Sequence, residues 1–210
     1  MSIERGTTAL LTRRREILAQ GAEPLGWKVG FNVPDIQRKL GIDAPVAGFL
    51  TSDGLLEDGD SWSIDDDGEV LVESEVAVEI GEDGRSIVAV LPALELVDPP
   101  DLELELEQIL AGNIFHRAVV FGPRAATSEP GAARILVDGR EEHALAPAET
   151  AANLGAMVDA VARRLSAAGE ELRAGERIIT GVLAPPHRAA PGETVRLELD
   201  AVGGVELRFS

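Results

Sequence analysis

The sequence predicts a β-rich α+β fold, and three observations carry that expectation. From Glu69 the chain alternates, with Val70, Val72, Ser74, Val76, Val78 and Ile80 on one face and Glu69, Glu73, Glu75, Ala77 and Glu79 on the other, the period of a strand. Turn signals recur at Gly81-Glu-Asp-Gly84, Asp138-Gly139 and Gly203-Gly204, each between β-prone runs. Helical periodicity is confined to a few segments. Many short strands with an antiparallel finish argue against a doubly wound parallel sheet. At 210 residues and 45% apolar composition, the chain reads as a single unit, 1–210, with 1–45 as an N-terminal helical part packed on it.

Thr8 to Gln20 has Leu10, Leu11, Ile17 and Leu18 at helical spacing and Gly21 as its stop. Gly26-Trp-Lys-Val-Gly30 is a short extended piece, and Pro34 to Leu40 a short helix ended by Gly41. Val46–Thr51 is a strand closed by the turn Ser52-Asp53-Gly54, and 57–69 an acidic loop. Glu69 onward pairs with Ile87–Val97 through the Gly81–Gly84 turn. Leu102 to Leu110 fits either period; its start after Pro99-Pro100-Asp101 favours a helix. Arg117–Gly122 is a strand, and Arg134–His143 a hairpin. Ala148–Ala168 is a helix with Leu154, Val158, Val161 and Leu165 on its stripe. Strands at Arg177–Gly181, Thr194–Asp200 and Val205–Phe209 finish the chain, the last two closing on Gly203-Gly204.

Composition excludes whole classes of function. A net charge of −18 argues against nucleic acid or an anionic membrane as partner. The absence of cysteine removes disulfides, zinc-thiolate sites and thiol nucleophiles. The N-terminus lacks the apolar region of a signal peptide and no run is long enough to span a membrane, so a cytoplasmic location is expected. Lysine occurs only at Lys28 and Lys39, against 17 arginines. Lys28 lies between glycines beside Trp27, where it is either a functional cation or a lysine snorkelling along the ring.

The sharpest chemical signal is carboxylate. Glu73 and Glu75 share a strand face, and Glu95 interrupts the apolar run Ile87–Val97, where a buried carboxylate is costly without a positive partner. Three convergent carboxylates repel one another unless a hard divalent cation joins them. The plainer alternative is a solvated strand face continued by Glu69 and Glu79.

Gly26-Trp-Lys-Val-Gly-Phe31, Gly48-Phe-Leu-Thr51, Val72-Glu-Ser-Glu-Val-Ala77, Pro92-Ala-Leu-Glu-Leu-Val-Asp98 and Leu172-Arg-Ala-Gly-Glu-Arg-Ile-Ile-Thr-Gly181 stand in an order that resembles the 2-oxo-4-pentenoate hydratase and 4-oxalocrotonate decarboxylase branch of the fumarylacetoacetate hydrolase superfamily. The resemblance implies a mixed β-sandwich or roll of that superfamily's catalytic type, with Mg2+ or Mn2+ held by Glu73, Glu75 and Glu95. It implies Lys28 as the active-site lysine, Asp53 as an acidic residue that orients water, and Thr180 as a residue lining the substrate carboxylate. It also implies a homo-oligomer. The expected reaction is hydration or decarboxylation of a small 2-hydroxydienoate or 2-oxo acid through a metal-stabilised enolate. C–C bond hydrolysis of an acylpyruvate-like substrate and a catalytically silent scaffold are the alternatives.

This chain departs from the family in three places, the first a shortening between Glu75 and Glu95, where a hairpin replaces a longer insert with a helix. It has Asp98-Pro99-Pro100 where the family often carries Asp-Ser-Arg. It has Gly112-Asn-Ile-Phe-His-Arg117 where the hydratases carry an Asp-Asn-Ala-Ser-like stretch. Asn113, His116 and Arg117 are therefore candidates for contact with the distal end of the substrate, although His116 also fits a satisfied histidine at a helix-to-strand corner. Asp53 also fits an ordinary turn.

Overall fold

A computed structural model describes residues 2–64, 68–101 and 103–210. The chain opens with α1 (Ser2–Ala19), β1 (Pro24–Gly30), α2 (Pro34–Leu40) and β2 (Val46–Thr51). A 3-10 turn at Ser52–Gly54 leads to the two-residue strands β3 (Leu55–Leu56) and β4 (Ser61–Trp62). The long hairpin β5 (Leu71–Ile80) and β6 (Ile87–Val97) precedes α3 (Leu106–Ala111) and β7 (His116–Phe121). Then come β8 (Ala133–Val137), β9 (Arg140–Leu145), α4 (Pro147–Thr150) and α5 (Leu154–Ala167). The remainder is β10 (Arg177–Val182), β11 (His187–Arg188), β12 (Thr194–Leu199) and β13 (Gly203–Phe209).

Two sheets result. One has the order β2-β1-β10-β5-β6-β7-β3, with β11 also paired to β5; the other has the order β4-β13-β12-β8-β9. β2 and β3 stand at opposite ends of the first sheet, yet only the turn Ser52–Gly54 separates them in the chain. The sheet must therefore curl until its ends nearly meet, which makes it a roll. Strand alternation gives the roll two faces. The outward apolar residues, among them Val76, Val78, Leu94 and Val120, join Val195, Leu197 and Val205 of the second sheet and Val158 and Val161 of α5 in one core. The inward face carries Leu50, Ala77, Leu91, Ala93, Val119 and Ile179 together with the acidic residues discussed below.

Several elements differ from the expectation in ways that packing explains. α1 starts at Ser2 rather than Thr8, because Ile3 packs against the cluster of Leu106, Ile109 and Leu110. α3 is shorter than expected and begins at Leu106, where the N–H of Glu105 donates to Gln108 Oε1 at 3.1 Å; Leu102 lies outside the described residues, as do 65–67 of the acidic loop. The rest of that loop contains β4, whose Trp62 pairs with Phe209. The single helix expected over Ala148–Ala168 is two helices, broken at Asn153, whose φ is +64°. The final turn is 200–202, and Gly203 already pairs with Leu199. Within 1–45 the chain supplies interior strand β1, paired on both sides, as well as α1 and α2.

A buried polar cluster seats β1. Arg14 of α1 lies 4.5 Å over the Trp27 ring. Glu176 accepts hydrogen bonds from Trp27 Nε1 at 3.0 Å and from the backbone N–H of Arg173 at 2.9 Å. Trp27 is thus gripped from both sides, and the next residue is Lys28.

Candidate metal centre

Strand register assembles the acidic site. Glu73 is directly opposite Glu95, Glu75 is opposite Ala93, and Glu95 faces Val119 across the other edge. From β1, Lys28 stands opposite Ile179 on one side and Gly48 on the other. Residues two apart on β5 and their partner on β6 therefore look into the roll, and the lysine joins them from β1, two strands from β5. One ligand atom from each of Glu73, Glu75 and Glu95 lies within 4.8 Å of the others. Glu75 and Glu95 are fully buried, Lys28 is 2% exposed and Glu73 is half-buried.

Each buried carboxylate is held by one oxygen and free at the other. Glu95 Oε1 receives Lys28 Nζ and meets His116 Nδ1 at 2.6 Å. Glu75 Oε2 accepts the backbone N–H of Gly181 at 2.6 Å. Glu95 Oε2 and Glu75 Oε1 are buried with no hydrogen-bond partner. An unpartnered buried carboxylate oxygen costs free energy, and clustered carboxylates with such oxygens are a donor set that a hard divalent cation satisfies. The residues present thus fit such an ion.

The titration behaviour agrees with that geometry. Glu73 is pushed up to about 7, by burial first and then by the charge of Glu95. Glu75 is pushed well above the ordinary range, by burial first and then by Glu95 and Glu73. Burial is also the largest influence on Glu95 and raises it, but Lys28 and His116 together outweigh burial and leave it below the usual value. One ionised glutamate thus sits against Lys28 and His116, beside two glutamates whose affinity for protons is raised.

The backbone shapes the rest of the site. Asn113, Ile114 and Phe115 have φ of +63°, +54° and +62° in succession, a run of left-handed residues that costs of order 1–2 kcal/mol each. This turn aims the Ile114 carbonyl at Lys28 Nζ, 3.1 Å away, and delivers His116 to Glu95. Asn113 stabilises it, accepting from Phe49 N at 2.9 Å and donating to Phe49 O at 3.0 Å. Gly48 is required beside it, since a Cβ there would stand 2.7 Å from both Asn113 Oδ1 and Lys28 Cγ. A cavity of about 260 Å³ opens from Lys28 and Glu73, walled by Phe31, Val33, Ile36, Phe115 and Pro186.

The structure brings together Lys28, Glu73, Glu75, Glu95 and His116, but not the other expected residues. Asn113 spends its amide on Phe49 and lines no part of the main cavity. Thr180 donates to Val76 O at 2.8 Å and lines a separate cavity of about 180 Å³ beside the start of α5. Arg117 pairs with Asp98 at 3.1 Å and lies 5.9 Å from the Trp62 ring. Asp53 is exposed and accepts from Thr51 Oγ1 at 2.5 Å; its neighbour Gly54 abuts His116 Nε2. Sequence reasoning missed the cavity walls, because a rim of Phe31, Val33 and Ile36 reads like any apolar surface before the fold closes it.

A roll with three inward glutamates beside a buried lysine is a candidate divalent-metal site. No family model matches the sequence. The chain is 29% identical over 217 residues to 2-keto-4-pentenoate hydratase of Paraburkholderia xenovorans, covering 94% of this chain and 80% of that one. It is 29% identical over 207 residues to 4-oxalocrotonate decarboxylase of a Pseudomonas species, covering 90% and 79%. Among solved structures, 4-oxalocrotonate decarboxylase from Pseudomonas putida G7, complexed with magnesium and adipate, superposes with a TM-score of 0.83 at 21% identity, over 96% of this chain and 83% of that one. Fumarylpyruvate hydrolase from Pseudomonas aeruginosa, with Mn2+ and pyruvate, gives 0.65 at 17% identity over 89% of both. This chain is similar in sequence to 2-keto-4-pentenoate hydratases and 4-oxalocrotonate decarboxylases and shares the fold of the solved decarboxylase and fumarylpyruvate hydrolase.

Proposed function

We propose that the protein is a divalent-metal-dependent lyase of the hydratase type, acting on a small 2-hydroxydienoate or 2-oxo acid. The observation that carries this reading is the pair of buried, unpartnered oxygens on Glu75 and Glu95, clustered with Glu73, which lines a small, mainly apolar cavity. Glu73, Glu75 and Glu95 would hold Mg2+ or Mn2+, whose chemistry when bound is Lewis-acid polarisation of a 1-carboxylate and 2-oxo group.

The chain's own groups do the rest. Lys28 has three N–H donors; Glu95 and the Ile114 carbonyl take two, leaving one for a substrate oxygen in the cavity that Lys28 lines. That fixed cation opposes negative charge developing on the substrate and is placed to pass a proton. His116 and Lys28 both bear on Glu95 Oε1, which leaves Oε2 without a hydrogen-bond partner. The apolar walls restrict water to the mouth of the cavity. Decarboxylation would use the same groups. Hydrolysis of a C–C bond is a second reading, favoured by the contact of His116 with Glu95. A homo-oligomer in the cytoplasm belongs to the same proposal.

The test supplies 2-oxopent-4-enoate as its dienol with Mg2+ and follows loss of dienol absorbance. Glu95→Gln and Lys28→Ala should each lose at least about a hundredfold in rate with unchanged circular dichroism. Full activity in Glu95→Gln contradicts the proposal. A His116→Ala loss as large as that of Lys28→Ala moves the assignment to hydrolysis.

A further inference from the structure

The cavity is polar at its floor and apolar toward its mouth. Lys28 and Glu73 stand at the floor, and Phe31, Ile36, Phe115 and Val33, which is 41% exposed, form the walls. Among the described residues that line it, Lys28 is the only basic one, and two of its donors are committed. The one charge nearer solvent is a carboxylate, Asp98, half exposed and 3.1 Å from Arg117. Arg117 does not line the cavity.

This polarity runs in one direction. A 2-oxo acid seated by its 1-carboxylate and 2-oxo oxygen at the glutamate floor would send its remaining carbons along the walls. A methyl end there buries apolar surface. A carboxylate end would leave water for a wall that is aromatic and aliphatic apart from the neutral amide of Asn32, with Asp98 rather than a cation in its lining. Rejection by an unmatched charge is a stronger discriminator than attraction for a methyl group.

We propose that this site selects 2-oxo acids whose far end is uncharged and apolar, and rejects their counterparts with a second, terminal carboxylate. The inference rests on the metal-centred reading above. It is tested by calorimetric titration in saturating Mg2+ with oxalate, 2-oxohexanoate and 2-oxoadipate, the last two differing by a terminal methyl against a terminal carboxylate. The wild type should bind 2-oxohexanoate at least about tenfold more tightly than 2-oxoadipate. Val33→Arg puts a cation at the mouth without removing a cap, since Val33 makes no side-chain hydrogen bond to α2. That variant should close the gap to less than about threefold.

If oxalate does not bind, the metal-centred reading fails and takes this inference with it. If oxalate binds and the wild type holds both longer acids equally, the inference alone is overturned. A gap that Val33→Arg leaves intact in a folded variant also overturns it, and should the variant not fold, the wild-type comparison decides.

Discussion

Glu73 is the residue at which charge, burial and stability meet most plainly. Its carboxyl is raised from an ordinary 4.5 to about 7. Between those values the folded, metal-free protein holds a proton that the unfolded chain has released. The folded state then binds more protons, so stability falls as pH rises through that window, and the loss is complete above about 7. The shift sets an upper bound of about 3 kcal/mol. Urea unfolding of the metal-free protein should show the wild type losing stability relative to Glu73→Gln between pH 5 and pH 8, by no more than that bound. A difference that is flat with pH, or grows in favour of the wild type, contradicts the arrangement. The candidate ligands were legible in the sequence because Glu73, Glu75 and Glu95 are conspicuous by spacing and by intrusion into an apolar run. His116 was not legible as a partner of Glu95, because its approach depends on the three left-handed residues Asn113 to Phe115. Only Asn113 among them is a residue type that hints at such backbone.

At the scale of elements, strands were readable where one face is charged or small and the other β-branched, as in β5 and β6. The hydrophobic period there is 2, and one register holds from Leu71 to Glu79 before a shift at Ile80, next to the turn Gly81–Gly84. Helix ends were less readable, because tertiary contacts decide them. Ile3 extends α1 through its packing on α3, and Asn153 breaks the final helical stretch with a backbone that its stripe of Leu154, Val158 and Leu165 does not betray. The two-residue strands β3, β4 and β11 carry no periodicity at all and exist only as partners of longer neighbours. The join between α1, β1 and the segment before β10 rests on Glu176, which holds Trp27, the Arg173 backbone and, at 3.7 Å, Arg14. Glu176→Ala strands a buried guanidinium and an indole N–H together. It should lower unfolding free energy by about 3 kcal/mol, read from denaturant midpoints. A change below about 1 kcal/mol would show that this cluster does not anchor β1.

At the scale of the whole molecule, a strongly acidic chain gathers three more carboxylates inside its roll, one of which, Glu73, lines a small cavity. The roll makes this possible, because curling a sheet until β2 and β3 nearly meet turns one face inward, and glutamates on that face have no escape to solvent. A buried acidic cluster in a protein of net charge −18 is sustained by Lys28, by protons, or by a cation. The most direct measurement is calorimetric titration of Mn2+, with and without oxalate as a chelating mimic of a 2-oxo acid, on the wild type and on Glu75→Gln. The wild type should bind one ion per chain, oxalate should tighten that binding, and Glu75→Gln should lose both effects while remaining folded. A wild type that binds neither Mn2+ nor oxalate, or a Glu75→Gln variant that binds both as the wild type does, contradicts the three-glutamate metal centre.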